Sequence, residues 1–221
     1  MRTKAAVPII VAVLAALALG VVQFAGADDA APEFHTGNNP ATLDAFGPMG
    51  GHEYYLRFTN AKGENTDAKC STRTASLFTA TNFPVTSIKT SVGFNGCTLN
   101  GETAAAAVNG CEYEFKLVAG SEPVTATLDI VCPFGKKIEF ESSKCRIDVW
   151  PQKGLKHVIY SNNEAAPTDV TETFSITGLE YTVSGFCPGQ TKSETKTNGI
   201  YTDGLTVQAT NAGKFVAVYV E

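Results

Sequence analysis

The chain has 221 residues, a formal net charge of −5 at pH 7, and 18% charged against 43% hydrophobic residues. Its cations are scattered, with Lys136-Lys137 the only adjacent pair beyond the first few residues, so the clustered basic footprint of a nucleic-acid-binding protein is absent. Thr, Gly, Ala, Val and aromatic residues dominate, a usage suited to pleated sheets rather than helices.

Met1-Arg2-Thr3-Lys4 is a short positive leader, Ala5 to Val22 is almost continuously apolar, and Ala25-Gly26-Ala27 supplies small residues before Asp28-Asp29. This order predicts a signal peptide over residues 1–27, cleaved before Asp28. Retention of the apolar run as an N-terminal anchor on the outer face of the membrane is the alternative, because the run is about long enough to span a bilayer. Arg2 and Lys4 leave with the leader, which makes the mature chain more acidic still.

Asp28 to Gly51 contains Pro32, Pro40 and Pro48 and the pair Gly50-Gly51, with no hydrophobic period of either kind; it reads as a flexible N-terminal segment. From His52 to Glu221 short β-type runs alternate with turn residues. The predicted strands are Glu53 to Thr59, Thr72 to Thr79, Val85 to Phe94, Cys111 to Val118, Val124 to Cys132, Lys136 to Glu141, Cys145 to Trp150 and His157 to Ser161. Val170 to Ile176, Leu179 to Ser184, Gly199 to Thr202, Leu205 to Thr210 and Lys214 to Val220 complete the set. Asp203-Gly204 reads as the two-residue turn of a tight hairpin, and Asn211-Ala212-Gly213 as the next reversal. The expectation is an all-β domain over residues 52–221, an antiparallel two-sheet sandwich of Greek-key or meander type, with a β-barrel as the alternative.

Six cysteines in an exported chain read as disulfides. Strand parity puts Cys111 with Tyr113 and Phe115, Cys132 with Leu128 and Ile130, Cys145 with Ile147 and Val149, and Cys187 with Tyr181 and Val183, all toward a core. Six cysteines allow 15 pairings. The preferred set is Cys97 with Cys111, Cys132 with Cys145, and Cys70 with Cys187.

The strings Asn109-Gly110-Cys111-Glu112-Tyr113-Glu114-Phe115, Asp129-Ile130-Val131-Cys132-Pro133, Cys145-Arg146-Ile147-Asp148-Val149 with Pro151-Gln152, and Gly185-Phe186-Cys187-Pro188 resemble a set of uncharacterised bacterial secreted, cysteine-containing β-rich proteins. The resemblance covers most of His52 to Glu221. It implies the architecture and carries no activity, ligand or site residue.

Candidate chemistry is sparse. Glu112 with Glu114, and Glu139 with Glu141, are i, i+2 carboxylate pairs on one face of their strands, and a glycosidase needs two carboxyl groups flanking the scissile bond. Alternation with Tyr113, Phe115, Ile138 and Phe140 is equally what the outer face of a sheet produces. The histidines His35, His52 and His157 have no metal-ligand spacing, Ser121 sits in a turn rather than a Gly-x-Ser-x-Gly elbow, and the aspartates are too dispersed for a calcium loop. No metal, no cofactor and no nucleotide loop is expected. The function expected is a secreted or envelope-associated, non-catalytic protein with a binding or structural role toward an unknown protein or cell-envelope component. An extracellular glycan hydrolase using Glu112, Glu114, Glu139 or Glu141 is the alternative.

Overall fold

A computed structural model describes residues 31–47, 54–60, 62–76, 82–120, 122–188 and 193–221. The signal peptide expected over 1–27, together with His52 and Ser121, lies outside the described residues. Fifteen strands and no helix occupy the described residues, and every strand pairing is antiparallel.

The strands are β1 (Phe34–Thr36), β2 (Thr42–Phe46), β3 (Tyr54–Thr59), β4 (Asn65–Ser76), β5 (Ser87–Leu99), β6 (Glu102–Ala107), β7 (Glu112–Ala119) and β8 (Val124–Val131). They continue with β9 (Ile138–Glu141), β10 (Cys145–Val149), β11 (Gln152–Asn162), β12 (Asp169–Gly185), β13 (Glu194–Asn211), β14 (Lys214–Val216) and β15 (Val218–Val220). The all-β class holds, and the sheet takes the barrel form rather than the sandwich. Four long strands, β4, β5, β12 and β13, run through the whole wall. On one side β7, β8 and β11 bridge β5 to β12 while β2 bridges β13 to β4. On the other, β6, β9 and β10 bridge β5 to β12 while β3 bridges β13 to β4. Each circuit closes with eight strands, and closure removes the free edges that an open sheet would present to other chains.

Two local features of the sequence make this closure possible. At Gly178, which has φ +81°, β12 bulges and continues, so the strands expected separately at Val170 to Ile176 and Leu179 to Ser184 are one. Between β4 and β5 the inward parity shifts by one. Cys70 and Arg73 are buried with Ser71 and Thr72 exposed between them, and opposite them Phe94 and Cys97 are buried around exposed Asn95 and Gly96. Gly96 takes φ +60° there, and a side chain on it would collide with the Ser71 hydroxyl.

The expected hairpin turn at Asp203-Gly204 is corrected: β13 passes straight through, with Asp203 opposite Phe174 and Gly204 opposite Thr173. The turn reading failed because Asp203 points into the barrel, where an arginine awaits it. Asn211 to Lys214 does reverse the chain, through Ala212 and Gly213 at positive φ. Within the segment read as flexible, the described residues 31–47 carry two paired strands, β1 with β15 and β2 with β13. Phe34 of β1 is fully buried and packs edge-on against Tyr160 at 5.0 Å.

The core is an aromatic column. From Phe34 and Tyr160 it passes through Phe115, Phe174, Tyr201, Tyr54 and Phe94 to Phe140, with successive ring centroids 4.6 to 6.3 Å apart. Contacts in this range each contribute about 0.5–1.5 kcal/mol beyond area burial.

All six cysteines are bonded, but not as expected. The pairs are Cys70–Cys97, Cys111–Cys132 and Cys145–Cys187, which replaces the expected Cys97–Cys111, Cys132–Cys145 and Cys70–Cys187. Strand register explains each one. Cys70 stands directly opposite Cys97 in the β4–β5 ladder; Cys111 and Cys132 extend the ladder one step past Glu112 and Val131; and Cys145 faces Gly185, two residues before Cys187. Each bond therefore joins strands already neighbouring in the wall.

Candidate functional site

The outer carboxylates suggested by the sequence do not converge on a reaction centre. Glu114 stands between Lys89 at 3.9 Å and Lys116 at 3.3 Å. Glu139 is held by Arg146, with Lys137 at 3.9 Å; Glu141 is exposed with Arg146 at 3.6 Å, and Glu112 is exposed. These pairs belong to two outward charge ladders, Lys116 continuing to Asp129 at 2.7 Å and Lys137 to Asp148 at 2.6 Å. Asp129 also accepts the Gly154 N–H at 2.6 Å, and Lys116 with that N–H holds its carboxyl below the usual range against the opposing effect of burial. Among the described residues no group of three or more His, Cys, Asp or Glu side chains is placed to hold a metal ion. His35 stacks on Tyr219 in the β1–β15 ribbon.

A second, unexpected group of ionisable residues lies inside the barrel. Arg73 donates from Nη1 to Asp203 Oδ2 at 2.5 Å, with the two side chains 2% and 1% exposed. Asp203 also accepts the Gly204 N–H at 2.8 Å. The guanidinium lies 5.4 Å from the Tyr113 ring and 5.2 Å from the Phe174 ring, a cation–π setting. Glu172 is buried nearby, and its carboxyl is pushed up to about 8 by burial foremost, with the Asp203 charge adding to the rise and Arg73 and Tyr160 opposing it. At neutral pH Glu172 therefore keeps its proton, and the charges of Arg73 and Asp203 offset each other. Burial also raises the hydroxyls of Tyr54, Tyr113, Tyr160 and Tyr201 above their ordinary range. Arg73 Nε and Nη2, Tyr54 Oη, Tyr160 Oη and Glu172 Oε1 have no hydrogen-bond partner in the protein.

Sequence reasoning missed all three ionisable members of this group. For Glu172 the signal was present: it shares parity with Val170, Phe174 and Ile176, which are all buried. For Asp203 the parity of Tyr201, Leu205 and Val207 pointed inward, and the turn propensity of Asp-Gly obscured it.

Among the described residues, a concave feature lies on the outer surface where the two circuits part. β12 pairs with β11 as far as Phe174 opposite Val158, and with β10 only from Tyr181 opposite Val149; Ser175 to Glu180 pairs with neither. β11 bends away here through register shifts on both sides of Leu155, with Gly154 at φ +68° and His157 at φ +70°. Gln152 closes the far end of the opening: its amide donates to the Glu180 carbonyl at 3.1 Å and accepts the Glu180 N–H at 2.9 Å. The groove between β11 and β12 has a volume of about 340 Å³ and is lined by His157, Ile159, Thr173, Phe174, Ser175 and Thr177. Of the residues flagged from sequence, only His157 reaches it; Glu112, Glu114, Glu139 and Glu141 do not line it.

No family model, curated protein or solved structure matches this chain.

Proposed function

We propose that the mature chain is an exported, non-catalytic barrel that binds a partner, a protein or a cell-envelope component, on its outer surface. The observation that carries this reading is the groove between β11 and β12, where Ser175 to Glu180 of β12 pairs with neither β11 nor β10. Its lining holds one imidazole and no carboxylate, which supports binding over glycoside hydrolysis, a reaction that needs two carboxyl groups across the bond. Export is supported by the leader over residues 1–27 and by three disulfides, which persist in oxidising compartments. The resemblance of the cysteine contexts to those of bacterial secreted proteins supports the same reading.

Cell fractionation tests it. Expressed at full length in a bacterium with an export pathway, the protein is expected outside the cytoplasm, beginning at Asp28, with no thiol open to alkylation, and sedimenting in part with envelope material. A cytoplasmic product with reduced thiols overturns the reading.

A further inference from the structure

We infer that the groove between β11 and β12 is a subsite for one acidic sugar residue, a hydroxylated ring bearing a carboxylate; this rests on the binding reading above and names its ligand class. The shape of the opening selects a compact ligand. An extended peptide would add along the unpaired β12 edge, but that edge is shut at one end by Val158 opposite Phe174 and at the other by the Gln152 amide on Glu180. What remains is an eyelet, and its volume of about 340 Å³ is at the small end for ligand pockets.

The lining matches a sugar ring on two counts. Thr173, Ser175 and Thr177 stand at i, i+2 and i+4 on the outward face of β12, so their hydroxyls form a row with roughly 7 Å between neighbours. Each hydroxyl both donates and accepts, as a sugar hydroxyl does. Across from them Ile159, which is 37% exposed, offers carbon surface for the ring's C–H face.

Charge then selects the acid. Lys156 and His157 are consecutive exposed residues on the β11 bank, in a chain of net charge −5. Among the described residues neither makes an ion pair, whereas Lys153, three residues before Lys156, already acts on Asp129. The exposed Glu180 lies at the far end, where its backbone holds the Gln152 amide, so the Lys156 end is the one that favours a carboxylate. Electrostatic complementarity of this kind orients a ligand as well as attracting it.

The experiment is titration of the isotope-labelled mature protein with glucuronic acid, followed by amide chemical shifts, with glucose and acetate as comparisons. Expected are saturable shifts at residues 157–159 and 173–177, weaker saturation with glucose, and none with acetate. Ser175→Phe, a substitution at an exposed strand position that fills the groove, is expected to abolish the shifts with the spectrum otherwise folded. Lys156→Glu is expected to weaken binding by about fivefold. Shifts absent with glucuronic acid, shifts elsewhere on the barrel, an equal response to acetate, or a Ser175→Phe response like that of the parent would each overturn the assignment. If envelope association then persists in Ser175→Phe, the binding reading stands while this subsite falls; if the parent protein neither leaves the cytoplasm nor associates, the broader reading falls with it.

Discussion

Arg73 and Asp203, 130 residues apart in sequence, meet inside the barrel in a 2.5 Å charged hydrogen bond sealed from solvent. One comes from β4 and the other from β13, strands that both circuits share. A buried ion pair contributes less than its Coulomb energy suggests, because both groups lose their hydration. Removing one partner is far more costly than removing both.

Asp203→Asn is accordingly expected to destabilise the protein by about 3–5 kcal/mol, because it leaves the Arg73 charge buried and uncompensated. The double variant Arg73→Met, Asp203→Leu is expected to recover most of that loss. Urea denaturation of the parent, Asp203→Asn and the double variant checks both statements; equal losses in the single and double variants would contradict them.

Glu172 makes stability depend on pH in a direction opposite to that of an ordinary salt-bridged carboxylate. Its carboxyl sits at about 8 in the fold against 4.5 ordinarily. Below 4.5 both states are protonated, between 4.5 and 8 only the folded state holds the proton, and above 8 both have lost it. This group's contribution is therefore fully present below pH 4.5 and declines by about 1.4 kcal/mol per pH unit up to about pH 8. Glu172→Gln is expected to remove that slope and to be more stable than the parent near pH 8; denaturation midpoints measured from pH 5 to 9 decide it.

Peptide mapping without reduction is expected to recover Cys70–Cys97, Cys111–Cys132 and Cys145–Cys187, and no free thiol. Replacing Cys145 and Cys187 together by serine is expected to cost about 2–5 kcal/mol, measured by the same denaturation. The loss arises at β10 and β12, where that bond reinforces an existing ladder.

Gln152→Ala is expected to expose the Glu180 backbone at the seam between the circuits. It removes three side-chain-to-backbone hydrogen bonds, two to Glu180 and one to the Trp150 carbonyl, a loss of about 1–3 kcal/mol. Hydrogen exchange at the Glu180 amide is expected to accelerate while that of Val183, within the β10–β12–β13 ladder, does not.

Much of the wall was legible along the chain. The strands around Cys111, Val124, Cys145 and Val170 announce themselves by alternation, and the parity that turned Cys111, Cys145 and Cys187 inward is what the barrel buries. The positive-then-apolar order of the first residues and the even cysteine count are local properties and need no fold to be read. β6 and the N-terminal strands β1 and β2 escaped because Glu102–Ala107 is a run of small residues and residues 31–47 are broken by prolines; they become strands only when paired with a neighbour. The groove was likewise invisible, since nothing near His157 distinguishes it until β11 leaves β12.

What the sequence determined by itself was which residues can face inward, because side-chain alternation is a property of each strand alone. Which inward residues meet was decided only by register and closure: these set Cys70 against Cys97, brought Arg73 to Asp203, kept Glu172 protonated beside them, and opened the seam at His157. Register depends on hydrogen bonds between segments far apart in the chain, and no local pattern encodes their alignment.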